Sequence, residues 1–142
     1  MDNEFAISKF IGINSSLPEV WEALVNPDKI CQYFTGAETI SDWQIGSEIL
    51  FNHEYEGDKF TNKGRILAFQ PNQLLIYTYW TKYSQTEDLP ENYTTISYAI
   101  DGLDNMTTLT LTQSNIKNLQ WFEGLQTGWD TVLAKIKEIA ES

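Results

Sequence analysis

Residues 121–140 read WFEGLQTGWDTVLAKIKEIA. Phe122, Leu125, Trp129, Leu133, Ile136 and Ile139 recur at spacings of three and four, the period of one helical face. The spacing predicts an amphipathic helix of about five turns, entered near Leu119. Its apolar stripe requires a partner surface. Gly124 and Gly128 are four apart on one face, and each costs roughly 1 kcal/mol against alanine in a helix. Two readings stand for them: close approach of the helix backbone to a sheet or ligand, or a weak first half ahead of a firm half from Trp129 onward.

The partner surface lies upstream. From Thr39 to Gln113 the chain is rich in β-branched and aromatic residues, with strands expected near 48–55, 60–69, 73–83, 93–101 and 106–113. Turn residues separate them: Glu56-Gly57-Asp58, Gln70-Pro71-Asn72 and Asp101 to Asn105. Such short joints imply hairpins and an antiparallel meander. The polar stretch 84–92 reads as a long mobile loop. Ahead of the meander, Phe5, Ile7, Ile11 and Ile13 alternate with small residues as a first strand, and Lys9 on its apolar face suggests an edge. Ser16-Leu17-Pro18-Glu19 forms a capping box with proline in the first turn of a short helix. Asn26-Pro27-Asp28 breaks that helix. A second one follows from Lys29 to Phe34 and ends at Gly36.

The elements add up to a single α+β domain over 1–142. A curved antiparallel sheet of about six to seven strands carries two short helices after strand 1, and the long C-terminal helix packs across it. This is a helix-grip arrangement, in which sheet and helix bury each other's apolar faces.

Composition narrows the partners. A net charge of −11 opposes binding to nucleic acid or an anionic membrane, since both need Lys and Arg to meet phosphate. The single cysteine, Cys31, allows no intrachain disulfide, and buried free thiol is its ordinary state. Met1 to Glu4 is acidic and lacks a leader's apolar run, and no stretch reaches a membrane span. A soluble cytoplasmic protein, monomer or weak dimer, is the expectation.

No catalytic signature is present. The only histidine, His53, has Glu56 on its own face and Asp58 at the turn. Together they make a poor metal or acid–base set, and a structural role is the ordinary reading. No metal and no cofactor is called for. The aromatic fraction of 13% exceeds what a small core needs, which leaves rings to line a pocket. Arg65 alternates with Leu67 and Phe69 and is placed on the cavity side, as an anchor for a ligand carboxylate or polar head, with an ion pair to a strand acid as the alternative role. Tyr77 and Tyr79 share one strand face, with Trp80 on the other, and their hydroxyls would orient a ligand. Trp43, His53, Trp80, Trp121 and Phe122 complete the cavity candidates. Trp121 lies off the helix stripe, so the cavity mouth is expected along 119–128.

The chain resembles the START-like superfamily, and within it the homologues of the C-terminal domain of the heat-shock protein ATPase activator, the activator of the ninety-kilodalton chaperone. The resemblance rests on Pro18 to Leu24 with Asn26-Pro27-Asp28, Tyr33-Phe34, Trp43-Gln44-Ile45-Gly46, Gly64 to Pro71, Leu74 to Trp80, Thr108 to Thr112 and Gly128-Trp129. Ser47 stands where the family often has a second glycine. The resemblance implies a helix-grip fold and a role drawn from several: binding of an apolar or aromatic small molecule, a chaperone-linked interaction with a part in stress response, or polyketide cyclase-like catalysis. The leading expectation is a non-enzymatic domain holding an apolar small molecule between sheet and helix.

Overall fold

A computed structural model describes residues 4–142. Met1–Asn3, part of the acidic start noted above, lie outside the described residues. The order is β1 (Phe5–Ile13), α1 (Leu17–Val25), α2 (Pro27–Tyr33), β2 (Glu38–Ser41), β3 (Glu48–Tyr55), β4 (Asp58–Gln70), β5 (Leu74–Tyr79), β6 (Thr94–Leu103), β7 (Met106–Ile116) and α3 (Leu119–Glu141). Seven antiparallel strands form one sheet in the order β1-β7-β6-β5-β4-β3-β2. Every connection from β2 to β7 is between neighbours. Only β1 crosses over, to pair with β7 at the edge that Lys9 suggested.

The short helices start where their capping residues place them. Ser16 Oγ accepts from the Glu19 amide, and the Glu19 carboxylate accepts from the Ser16 amide in return. Glu19 is held below the usual carboxylate range, first by its hydrogen bond from the Ser16 hydroxyl. Asn26 closes one helix and opens the next: its amide donates to Glu22 O, and its Oδ1 accepts from Asp28 N. Pro27 therefore begins α2 two residues earlier than the sequence suggests, because proline is preorganised for a first helical turn.

Trp129, Leu133, Ile136, Ile139 and Ala140 are the buried stripe of α3. They meet Ile7, Ile13, Leu109, Leu111 and Ile116 of the sheet and Val20 and Leu24 of α1 within one core. Each such aliphatic side chain stabilises the fold by about 1.5–3 kcal/mol. Lys9 of β1 reaches Asp130 of α3 at 2.9 Å and ties helix to edge strand.

Three expectations change. β5 ends at Tyr79 rather than near residue 83, because Thr81 caps a 3-10 turn over Lys82–Ser84. The stretch 84–92 is tied to the outer face of the sheet: Asp88 takes Lys63 at 2.6 Å and the Tyr93 hydroxyl at 2.5 Å, while Asn115 and Lys117 donate to Glu91 O. The Tyr93 hydroxyl is pushed up to about 12, by burial first and then by its bond to Asp88. Finally, Gly124 and Gly128 make no close approach to the sheet. A Cβ at either would meet nothing within 4 Å.

Close backbone approach does require glycine at Gly64, as it does at Gly102. A Cβ at Gly64 would lie 1.6 Å from Thr78 O on β5. Ser47 is easily accommodated, since its hydroxyl closes the turn by donating to Gln44 O at 2.7 Å.

Candidate functional site

The firm half of α3 seals against the sheet and α1, and its first half stands off. The space left there is two chambers sharing Tyr79 and Leu125 as a common wall. The inner chamber, about 160 Å³, is lined by Phe34, Ile96, Gln113, Gly128, Trp129 and Val132. Only Gln113 contributes a polar side chain besides the Tyr79 wall. Gln113 is fully occupied: its Oε1 accepts the Trp129 indole N–H at 2.8 Å, and its Nε2 donates to Thr94 Oγ1 at 3.0 Å. Gly128 borders the chamber, and a Cβ there would meet nothing within 4 Å.

The outer chamber is about 460 Å³ and opens to solvent past Trp121. His53, Tyr55, Phe60, Tyr83 and Trp121 surround it with rings, and Asn62, Thr81, Thr35 and Glu54 supply its polar groups. His53 lies flat on Phe60, ring centroids 4.9 Å apart at 5°. Burial holds its imidazole below the ordinary value of 6.5. The acids once considered its partners are elsewhere: Asp58 pairs with Lys82 at 2.5 Å, and Glu56 sits in a turn at φ 50°. Among the described residues no three His, Cys, Asp or Glu side chains converge as a metal set.

Deeper in the sheet, Tyr77 and Tyr98 share a hydroxyl–hydroxyl hydrogen bond of 3.1 Å. Burial raises both pKa values well above the ordinary range, so both rings stay neutral. Tyr79 is likewise raised by burial, and its hydroxyl accepts from Asn62 Nδ2 at 2.7 Å. The other side-chain atom of that amide, Asn62 Oδ1, is buried without a partner. Such an acceptor costs about 1–3 kcal/mol if nothing arrives to bond it.

Of the sequence candidates, the fold brings together His53, Tyr79 and Trp121 around the outer chamber. Tyr77 stands behind them in the core. The other four stand away from both chambers. Arg65 points to the outer face, exposed, and donates to Gly46 O at 3.0 Å. The cause is a β-bulge in β4: pairing with β5 shifts between Ile66 and Ala68, so Ile66 and Phe69 point inward while Arg65 and Leu67 point out. Trp80 also lies on the outer face, bridged to Lys63, whose ammonium is 6.0 Å from its ring. Phe122 stacks on Phe5 at 4.9 Å, a turn of the helix away from the cavity side. Trp43 packs on Phe69 at 6.1 Å.

Sequence reading missed Phe34, Asn62, Phe60, Leu125 and Val132. Leu125 and Val132 flank Gly128 at the i−3 and i+4 positions, so the glycine itself was the available signal. An outer-face groove of about 510 Å³ runs beside Arg65, but its Lys63 and Asp88 are spent on each other.

A family model for activator of Hsp90 ATPase homolog 1-like proteins matches residues 14–141. The chain belongs to that family. Among solved structures it is similar to ChR145 from Cytophaga hutchinsonii, with 32% identity, TM-score 0.83, and coverage of 99% of this chain and 97% of that one. It is similar also to the Aha1 dimer from Colwellia psychrerythraea, with 21% identity, TM-score 0.76 and 96% of each chain covered. DynU16, from the dynemicin biosynthetic locus, matches at 17% identity and TM-score 0.77, over 96% of this chain and 47% of that one. The last two likenesses are of fold. No curated protein matches the chain. Family membership places the helix-grip chambers in a fold shared by proteins of differing roles, so the residues around them carry the functional reading. No helix among the described residues is long and apolar enough to cross a membrane.

Proposed function

We propose that this member of the family binds an apolar or aromatic small molecule between the sheet and the first half of α3, without transforming it. The observation that carries the reading is the pair of chambers under Gly128 and Trp121. The outer one has the size of ordinary small-molecule sites, about 300–1,000 Å³. The inner one offers a single apolar slot behind it. Rings of six side chains border the outer chamber.

Titration with N-phenyl-1-naphthylamine, a neutral aromatic probe, tests this by protein-detected NMR. Saturable shifts at the Trp121 indole and the Leu125 and Val132 methyls are expected. Shifts absent there, or confined to the outer face near Arg65, overturn the reading.

The family supports a second reading, in which the domain docks on a ninety-kilodalton chaperone. Co-purification with that chaperone from the same cell, and its loss on charge reversal of the acidic surface, would favour docking over ligand binding. Unchanged chaperone ATPase activity in the presence of the domain would remove it.

A further inference from the structure

Three buried side-chain polar atoms among the described residues have no hydrogen-bond partner: Thr39 Oγ1, Asn62 Oδ1 and Trp80 Nε1. Of the three residues, Asn62 alone borders a chamber. It is 5% exposed and hydrogen-bonded to Tyr79, the wall between the chambers. The Tyr79 hydroxyl accepts that bond, and its own hydrogen has no acceptor among the described hydrogen bonds. The amide can turn over in place. In one sense Asn62 Oδ1 is left to accept and the Tyr79 hydroxyl to donate. In the other, Asn62 Nδ2 is left to donate and the Tyr79 oxygen to accept. Either way the pair keeps at least one donor and one acceptor unused, side by side, at the wall the two chambers share.

The charges around the pair select further. Among the described residues neither chamber is bordered by Lys or Arg, and Glu54 is the one acidic side chain on either wall. A nearby cation, Lys82, lies 4.8 Å from the Phe60 ring and 5.3 Å from the Tyr83 ring and is paired with Asp58, so an anionic head would find no free cation on the wall and would meet the Glu54 carboxyl group. Burial keeps Tyr79 protonated and favours the neutral form of His53, so neither supplies a charge near neutrality.

We propose that the ligand of this site is uncharged and carries a hydroxyl on an otherwise apolar body, and that Asn62 and Tyr79 together hold that hydroxyl. A hydroxyl both gives and takes one hydrogen bond, which matches the pair in either sense of the amide. The apolar body lies against Phe34, Ile96, Leu125, Trp129 and Val132 in the inner slot. This inference rests on the ligand-binding reading above and specifies its chemistry.

Three probes of one shape test it: 2-naphthol, 2-methylnaphthalene and 2-naphthoate, each titrated against the intact domain by protein-detected NMR. The naphthol is expected to bind about ten-fold more tightly than the methyl compound, the worth of one well-made buried hydrogen bond, and the naphthoate least tightly of the three. In Tyr79→Phe and in Asn62→Leu, each checked for folding by thermal melting, the ratio of naphthol to methyl-compound affinity falls below about three-fold. Equal wild-type affinities for naphthol and the methyl compound overturn this inference and leave apolar ligand binding standing. Tightest binding of the naphthoate also overturns it. Absence of binding by all three overturns both readings. The wild-type comparison decides the matter even where a variant fails to fold.

Discussion

Trp129 donates its indole N–H to the side-chain oxygen of Gln113, helix to sheet, across a gap of 2.8 Å. The bond is the first link of a buried relay: Gln113 donates on to Thr94, and the Thr94 hydroxyl donates to Tyr79 O at 3.1 Å. It crosses at the back of the inner chamber, where the helix would otherwise be free to settle onto the sheet. Gln113→Leu keeps the volume and removes the acceptor, leaving the indole N–H buried and unpaired. The variant is expected to lose about 1–3 kcal/mol of unfolding free energy. Urea denaturation checks it, and the midpoint should fall at unchanged slope.

Gly128 separates stability from cavity volume. Its position faces open space, so Gly128→Leu adds a side chain to the inner chamber without meeting backbone, and leucine is the better helix former by roughly 1 kcal/mol. The variant should melt no lower than the parent and should bind N-phenyl-1-naphthylamine at least about ten-fold more weakly, since the slot is occupied from within. Gly124→Ala is the control: it gains helix stability by about 0.5–1 kcal/mol and leaves binding unchanged.

Gly64 behaves oppositely. The Cβ of an alanine would sit 1.6 Å from Thr78 O, and that oxygen is backbone rather than a side chain able to swing away. Strands β4 and β5 would have to part beside the bulge. Gly64→Ala is expected to cost about 3 kcal/mol or more, read as a fall in melting temperature, with the domain recovered in the insoluble fraction at higher temperature.

His53 links stability to pH. Its folded-state pKa is below 6.5 because burial disfavours the charged ring. The unfolded chain therefore takes up the proton first as pH falls. Stability from this group is fully present above 6.5, is lost as pH drops from there to the folded-state value, and levels off below it. His53→Gln should remove that segment of the curve, so wild type and variant converge or cross between neutral and mildly acid pH. Parallel stability curves across that window would show that the ring titrates as it does in the unfolded chain.

Much of the fold was legible in sequence because local signals agreed with one another. The capping box at Ser16 and Glu19, the helix break at Asn26-Pro27-Asp28, and the three-and-four spacing of α3 are short-range devices whose partners lie within a few residues. The site was legible in part. Among the residues singled out in sequence, His53, Tyr79 and Trp121 border the outer chamber, and the off-stripe position of Trp121 was the clearest local pointer to it. Alternation failed at Arg65 because one extra residue in β4 reverses which side each following residue faces, and nothing in the run Arg65-Ile66-Leu67-Ala68-Phe69 marks the bulge. Trp80 faces outward as its alternation with Tyr77 and Tyr79 requires, so naming it a cavity residue ran against the pattern itself. Asn62 was invisible for a different cause: its importance lies in a hydrogen bond to Tyr79, 17 residues away, and in the acceptor that bond leaves idle.

The crossover of β1 also has a temporal consequence. Phe5–Ile13 has one strand neighbour, Thr107–Ile116, and the segment just after it is clasped from still further along: Asn14 N donates to the Glu141 carboxylate at 2.7 Å, and the Ser15 hydroxyl to Ala140 O at 2.8 Å. On a growing chain, β1 therefore waits unpaired through synthesis of the whole meander, with Ile7 and Ile13 uncovered, until about a hundred residues later its partner emerges. Hairpins β2 to β7 can form in order as they appear; the edge, and the helix that locks it, close last and together. The long wait leaves a bare apolar strand open to contact with other nascent chains.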